Sequence, residues 1–369
     1  VLLVARADED PAPGEVERGL AEVERGAAAA GRALVLVHPE GSDGHPRGTR
    51  RWLEARDVDA HHHLRWGDAA DLARLARHLA GRSVGLVLGG GGARGFAHIG
   101  AVRALHELGI PVDLVAGTSM GAALAAQVAM GWSPEKMAEV NRRVWLEIRP
   151  HRVFTLPLVS VLSNARAEVC GRMMYGDLEI EDLWIPYFCV SASLVTAEAV
   201  VHRRGSLDRA TAASTALPGI APPILQDGHL LVDGALLNNL PADLMRAAGA
   251  GTVIAAEVSL EEDAAFTVER VPTTGELLRS RFGRGEVRFP SLMEVVMRAS
   301  MLHSVGRQRE ALDLADLTLR PPVDPFGMME FHRLEEIAEV GYAHAREAVG
   351  AWMAEQKAGA AVDFPAVAG

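Results

Sequence analysis

Cysteine is nearly missing from this 369-residue chain: Cys170 and Cys189 are the only two. Their spacing fits no metal-binding pattern, and a disulfide scaffold is excluded, which points to a reducing compartment. Lysine is almost as scarce, with Lys136 and Lys357 beside 35 arginines. Together with abundant alanine, that bias reads as GC-rich bacterial coding rather than as a binding surface. A positive balance is also lacking. The net charge is −11, which argues against nucleic acid as a partner, because phosphate binding needs a basic face. One stretch, residues 111–132, carries Asp113 as its one charge. It holds Gly117, Gly121 and Gly131 and divides into a β-branched run and an alanine-rich run. A buried strand followed by a helix is therefore expected, not a membrane span. No basic segment precedes the first apolar run, so no secretory signal is read and a cytoplasmic location is expected. The chain opens on Val1 without Met, as a fragment of a longer, regulated protein would.

With 49% hydrophobic and 23% charged residues, the composition is that of a folded globular protein. Its length allows two domains, or one with flanks. Residues 1–80 read as a small α/β flank, with apolar strands at 1–4 and 33–37. Asp68 is placed to cap a helix running to Ala80, with Leu72, Leu75 and Leu79 on one face. The triplet His61-His62-His63 alternates faces on a strand and has no neighbouring ligand, so it reads as an exposed polar strand or loop and not a metal site. Residues 81–260 alternate strands (84–88, 113–116, 187–192, 252–258) with helices, the pattern of a parallel sheet covered on its faces. Residues 261–290 read as a mobile loop within an extension covering 261–356. That extension continues with helices at 291–304 and 334–354 around a strand at 317–319. The tail, 357–369, reads as disordered.

Two glycine motifs carry the chemistry. The strand at 84–88 runs into Gly89-Gly90-Gly91-Gly92-Ala93-Arg94-Gly95 and then a helix. Gly90, Gly92 and Gly95 fit a dinucleotide fingerprint, but the same loop is also a nest of bare N–H groups for any negative oxygen. The next strand runs into Gly117-Thr118-Ser119-Met120-Gly121 and another helix, the context in which a tight turn pushes a nucleophilic serine outward. Asp113, the one acid near the distance a ribose ligand needs, opens that strand. Ligands bind at the other end, which weakens the dinucleotide reading. Ser119 needs a proton acceptor. Asp233 follows a short apolar run and precedes Gly234-Ala235, on a turn able to aim a carboxylate; an ordinary Asp-Gly turn is the alternative.

Taken in order, Gly90-Gly91-Gly92-Ala93-Arg94-Gly95, Gly117-Thr118-Ser119-Met120-Gly121 and Asp233-Gly234-Ala235 resemble the three motifs of patatin-like phospholipases. Residues 95–100, 218–223 and 238–241 extend the likeness. Residues 320–327, 339–346 and the N-terminal flank resemble the neuropathy-target-esterase branch. The resemblance implies a three-layer α/β/α fold with a mostly parallel central sheet. It implies a serine esterase acting on phospholipids or lysophospholipids through a Ser119–Asp233 dyad, without cofactor or metal. It also implies upstream cyclic-nucleotide-binding domains in a longer parent; none lies in this sequence. The N–H groups of Gly91 and Gly92, with Gly90, are expected to hold the oxyanion. Arg94 is expected to clamp the loop, with lipid phosphate as the alternative partner, and His98 to be structural. Burial beside Leu231 and Leu236 is expected to raise the Asp233 pKa.

Two alternatives remain at this point. One is an α/β-hydrolase triad using Ser119, Asp233 and one of His303, His332 or His344. The other is a catalytically silent lipid-binding protein. Met120, Leu124, Leu156, Leu158, Val161, Met173, Met174 and Leu217 are candidates for an acyl channel or simply for core. Arg279, Arg281, Arg284 and Arg288, beside Phe282 and Phe289, suggest a loop that touches the membrane surface transiently.

Overall fold

The computed structural model describes residues 1–15, 17–19, 31–42, 44–156, 158–259, 270–281 and 292–362. Near the N-terminus, β1 (Leu2–Arg6), β2 (Ala33–His38) and β3 (Ala60–Arg65) form a parallel three-stranded sheet in that order. β2 is its centre and buries Leu34 and Leu36 against Trp52 and Leu53, with Val35 buried on the other face. Asp68 caps the helix Ala69–Leu79, accepting from the N–H groups of Ala70 and Asp71 as expected.

The buried face of that helix differs from the leucine stripe read in the sequence. Leu75 is buried, but Leu72 and Leu79 are 59% and 57% exposed. Asp71 and Arg74 turn inward instead. Asp71 receives Arg65 through both carboxylate oxygens and pairs with Arg74 at 2.7 Å. Burial works against its ionisation, yet the two guanidiniums hold its pKa down at about 2.

The histidine triplet is not exposed either: His62 and His63 are buried. The reason is tertiary. Residues 177–184 pack over β3, and both His61 and His63 donate to the Glu181 carbonyl, at 3.1 and 2.8 Å. Thr49 N–H donates to Asp182, and the Trp184 indole donates to Gly44, which seats the small sheet on the rest of the chain. Desolvation drives His62 down to about 3, so it packs as a neutral ring against His78. Among the described residues no His, Cys, Asp or Glu cluster has the make-up of a metal site.

The larger sheet has eight strands, seven along its main path, β11-β10-β4-β5-β6-β9-β8, and β7 paired to β6 off that path. They are β4 (Val84–Leu88), β5 (Leu114–Thr118), β6 (Tyr187–Ser193), β7 (Ala199–His202), β8 (Ile224–Gln226), β9 (His229–Asp233), β10 (Thr252–Ala256) and β11 (Leu317–Leu319). From β11 to β6 all neighbours are parallel; β7, β8 and β9 are paired antiparallel. Strand residues alternate between two cores. Leu86, Leu88, Val115, Cys189 and Ile254 join the helices Ala97–Glu107, Met120–Ala129 and Leu334–Val362 on one face. Val87, Ala116, Phe188 and Val253 meet the helix Ala242–Ala247 on the other. Apolar contact on both faces is why these strands read as continuous apolar runs. The stretch 111–132 resolves into β5 and the following buried helix, and among the described residues no helix is long and apolar enough to cross a membrane.

Two expectations about the C-terminal part change. Residues 274–281 of the segment read as loop form the helix Thr274–Arg281. Of the arginine cluster, Arg279 and Arg281 lie on that helix, whereas Arg284, Arg288, Phe282 and Phe289 lie outside the described residues. The last helix runs to Val362, so 357–362 are helical rather than disordered; 363–369 lie outside the described residues.

Candidate active site

β4 and β5 are adjacent and parallel, so the two glycine motifs emerge side by side at their carboxyl ends. The turn after β5 leaves room for a main-chain crossing only. A side chain at Gly117 would lie 2.4 Å from the Gly121 backbone, and one at Gly121 would lie 2.1 Å from the Leu88 carbonyl oxygen. Between them Ser119 has φ 57° and ψ −129°, a conformation that costs a non-glycine residue on the order of 1–3 kcal/mol. This is the backbone of a strained elbow rather than of a helix cap: the Ser119 side chain caps no N–H group of the following helix.

Asp233 reaches the serine because β9 runs opposite to β6. Register places Ser191 opposite Asp233, one residue beyond Val190, which itself pairs with Thr118 at the end of β5. The last residue of β9 therefore stands level with the elbow. Ser119 Oγ donates to Asp233 Oδ2 at 2.6 Å, and Ala235 N–H donates to Oδ1 at 2.9 Å. Asp233 is fully buried, and desolvation lifts its pKa to about 7 against the pull of those two hydrogen bonds. Burial thus raises the basicity of a carboxyl group that is a weak base when free.

The three glycines expected to serve together divide in their roles. Gly90 N–H is taken: it donates to Asn239 Oδ1 at 3.1 Å, and Asn239 Nδ2 donates back to the Gly90 carbonyl at 3.2 Å. What Gly90 contributes is space, since a side chain there would come within 2.8 Å of Ser119 Cβ. Gly91 and Gly92 open the 3-10 turn Gly92–Phe96, and among the described residues their N–H groups meet no acceptor. They are first-turn donors left free beside the elbow. Arg94 holds the loop: its buried Nε donates to the Phe326 carbonyl at 2.6 Å, while Ala93 N–H donates to Met328. His98 donates to the Gly89 carbonyl at 2.8 Å, and burial takes its pKa down to about 4, a neutral structural ring. Gly95 and Gly234 allow close packing against Met120 and the Val190 carbonyl, respectively.

Several groups around the site carry no signal in the motifs themselves. Ser214 Oγ accepts Ser119 N–H at 3.0 Å and donates to the Val190 carbonyl, tying the elbow to β6. Thr118 Oγ1 donates to the Asn238 carbonyl, and Asn239 holds Gly90, so one short segment braces both motifs. The run 238–241 stands out in the sequence, but its role depends on contacts with residues about 120 and 150 positions away.

Among the described residues, Asp113, His332 and His344 make no hydrogen bond to Ser119 or Asp233. Asp113 sits at the far end of β5, bound by Arg77 and by Val84 N–H, which removes it as a ribose ligand. His344 accepts Arg320 N–H, His332 lies exposed on the turn Phe331–Arg333, and the His303 side chain lies outside the described residues. Met120 and Leu124 belong to the buried core, whereas Leu156 and Leu158 are 79% and 88% exposed, so these four do not line one buried channel. Cys170 and Cys189 are buried and form no disulfide with each other.

Residues 86–246 match the family described as Patatin-like phospholipase, and residues 1–80 match the Neuropathy Target Esterase family P-loop like domain. Patatin-like phospholipase domain-containing protein 6 of Homo sapiens is 35% identical over 390 residues, covering 95% of this chain and 28% of the relative. Neuropathy target esterase sws of Drosophila melanogaster is 35% identical over 387 residues, covering 94% and 27%. Lysophospholipase NTE1 of Mycosarcoma maydis is 33% identical over 420 residues, covering 97% and 22%. This chain therefore spans 28%, 27% and 22% of the length of these three relatives.

Proposed function

The chain belongs to the patatin-like phospholipase family, in its neuropathy-target-esterase branch, and from that membership we propose that it is a serine hydrolase of phospholipid or lysophospholipid acyl esters. The observation that carries the chemistry is the 2.6 Å hydrogen bond from Ser119 Oγ to a buried Asp233 carboxylate. The lipid substrate rests on the family and on the esterase and lysophospholipase names of its relatives.

Ser119 Oγ attacks the ester carbonyl as its proton passes to Asp233 Oδ2. The oxyanion of the tetrahedral intermediate is held by the N–H groups of Gly91 and Gly92. Being fixed by a turn, they need no reorganisation as charge develops. When the ester C–O bond breaks, protonated Asp233 returns its proton to the departing alcohol, leaving an acyl-serine. Water then gives a proton to Asp233 and its oxygen to the acyl carbon. Collapse restores Ser119 with that proton and releases the fatty acid. One carboxyl group so acts as base and acid in both halves, a role for which a pKa near 7 suits it better than one near 4.

Labelling with a fluorophosphonate probe, together with fatty-acid release from lysophosphatidylcholine and phosphatidylcholine, tests the proposal. Covalent labelling and release that both vanish in Ser119→Ala support it. A folded parent chain that neither labels nor releases fatty acid would overturn it.

A further inference from the structure

Residues 153–156 and 158–163 form the two limbs of a hairpin-like projection beside the site. Phe154 bridges Leu162 in antiparallel fashion, Thr155 N–H donates to the Val161 carbonyl, and Ser163 N–H donates to Val153. The return limb is fastened to the segment that supports the catalytic pair. Val161 and Leu162 donate to the carbonyls of Gly219 and Ile220, and three residues before Gly219 the Ala216 carbonyl accepts Asp233 N–H. At the base of the outgoing limb, His151 packs on Phe331, which stacks face to face with Trp145 at 4.1 Å. The projection is thus tied down at its base.

Its outer side chains are apolar and uncovered: Phe154 is 70% exposed, Leu156 79%, Leu158 88% and Val159 67%. Isolated exposed leucines are ordinary, but four large apolar residues within six positions form a patch that needs an apolar partner. Along the chain on either side of it the charge has one sign. Arg149 and Arg152 are exposed at its base, and no Asp or Glu occurs from residue 148 to 167, in a chain whose net charge is −11. Local positive charge around apolar tips, against an acidic whole, is complementary to a bilayer carrying anionic headgroups.

We propose that this projection docks the catalytic face on a lipid bilayer. Phe154, Leu156, Leu158 and Val159 enter the acyl region, and Arg149 and Arg152 rest on lipid phosphates. Because the projection and Asp233 share one backbone support, docking there brings the elbow to the plane in which lipid esters lie. This rests on the lipid-ester reading of the site, but binding is measured without turnover.

The test uses the Ser119→Ala chain, sedimented with vesicles of phosphatidylcholine alone or with 30 mol% phosphatidylglycerol, a composition of about one third anionic lipid chosen to give a strong surface potential. The chain should co-sediment with the anionic vesicles. Phe154→Ser/Leu156→Ser/Leu158→Ser should lower partitioning at least about tenfold, since each loses an inserting side chain. Arg149→Gln/Arg152→Gln should weaken binding to anionic vesicles and flatten its salt dependence, leaving pure phosphatidylcholine unchanged. In the Ser119 background the triple variant should label with a small fluorophosphonate within about twofold of the parent rate, its elbow being untouched. Should it not label, Leu158→Ser, the most exposed single position, carries the test with a drop of about threefold or more. Equal partitioning of parent and variants, or no partitioning by the parent, overturns the proposal. Vesicle binding lost in the triple variant, by a chain that hydrolyses no lipid ester, would leave the docking standing and unseat the reading of the site.

Discussion

Ser119 and Asp233, 114 positions apart in sequence, share a 2.6 Å hydrogen bond at the end of two strands that are not neighbours in the sheet. β6 lies between them, and because β9 is antiparallel to it, the terminal residue of β9 arrives level with the elbow. Each of the two residues is held in a state that is unfavourable by itself. The serine has a left-handed φ, and the carboxylate is desolvated.

The backbone strain predicts that one substitution separates stability from activity. Ser119→Gly should abolish fluorophosphonate labelling yet raise the thermal midpoint relative to Ser119→Ala, since glycine adopts φ 57° without penalty, a gain of roughly 1 kcal/mol. Calorimetry of the two variants measures it. Equal midpoints would mean that the elbow is not strained.

Asp233→Asn should lower kcat on the order of a thousandfold or more, since the amide cannot take the serine proton. His303→Gln, His332→Gln and His344→Gln should each stay within about threefold of the parent, as expected of groups outside the reacting set. Turnover of a soluble p-nitrophenyl ester distinguishes them. A histidine variant as inactive as Asp233→Asn would restore the triad alternative.

Because the Asp233 pKa is raised to about 7 by burial, kcat/KM for that ester should climb with pH through about 7 rather than through about 4. The linkage to folding has a definite sign. A carboxyl whose folded pKa lies above its unfolded value favours folding most below the unfolded value. That contribution is lost as pH rises from about 4 to about 7. Asp233→Asn should therefore gain stability over the parent above pH 7 and gain little or nothing near pH 4. Urea midpoints at the two pH values check this. A gain independent of pH would contradict it.

Asn239→Ala removes both hydrogen bonds to Gly90 and leaves the glycine loop to its remaining ties through Gly89, Ala93, Arg94 and His98. Loss of positioning for the Gly91 and Gly92 donors should lower kcat by roughly ten- to a hundredfold with little change in KM. Labelling by a fluorophosphonate, whose phosphoryl oxygen needs the same donors, should slow in parallel. An unchanged labelling rate would assign the oxyanion elsewhere.

Much of the site was legible because its requirements are local. A serine on a strand-to-helix elbow needs small residues on both sides, and Gly117 and Gly121 supply them within five positions. Buried parallel strands need continuous apolar runs, and 84–88 and 252–256 have them. The turn chemistry of Asp233-Gly234-Ala235 likewise shows in three residues. The helix Ala69–Leu79 was legible in its cap but not in its buried face. Which face is covered depends on what packs there, and the Arg65–Asp71–Arg74 cluster displaced Leu72 and Leu79.

What the sequence by itself determined, then, is the set of candidate reacting groups: a serine on an elbow, a carboxylate and a glycine loop, each encoded by neighbours along the chain. Tertiary structure alone decided how they are disposed. It assigned the Gly90 N–H to Asn239 and, among the described residues, left those of Gly91 and Gly92 without an acceptor. It buried His63 under residues 177–184 and His62 against His78, and left Phe154, Leu156 and Leu158 in the open. It also removed the water around Asp233 that would have kept it an ordinary acid. Hydrogen-bond allocation and desolvation depend on which distant segments pack together, and no spacing within a motif encodes that.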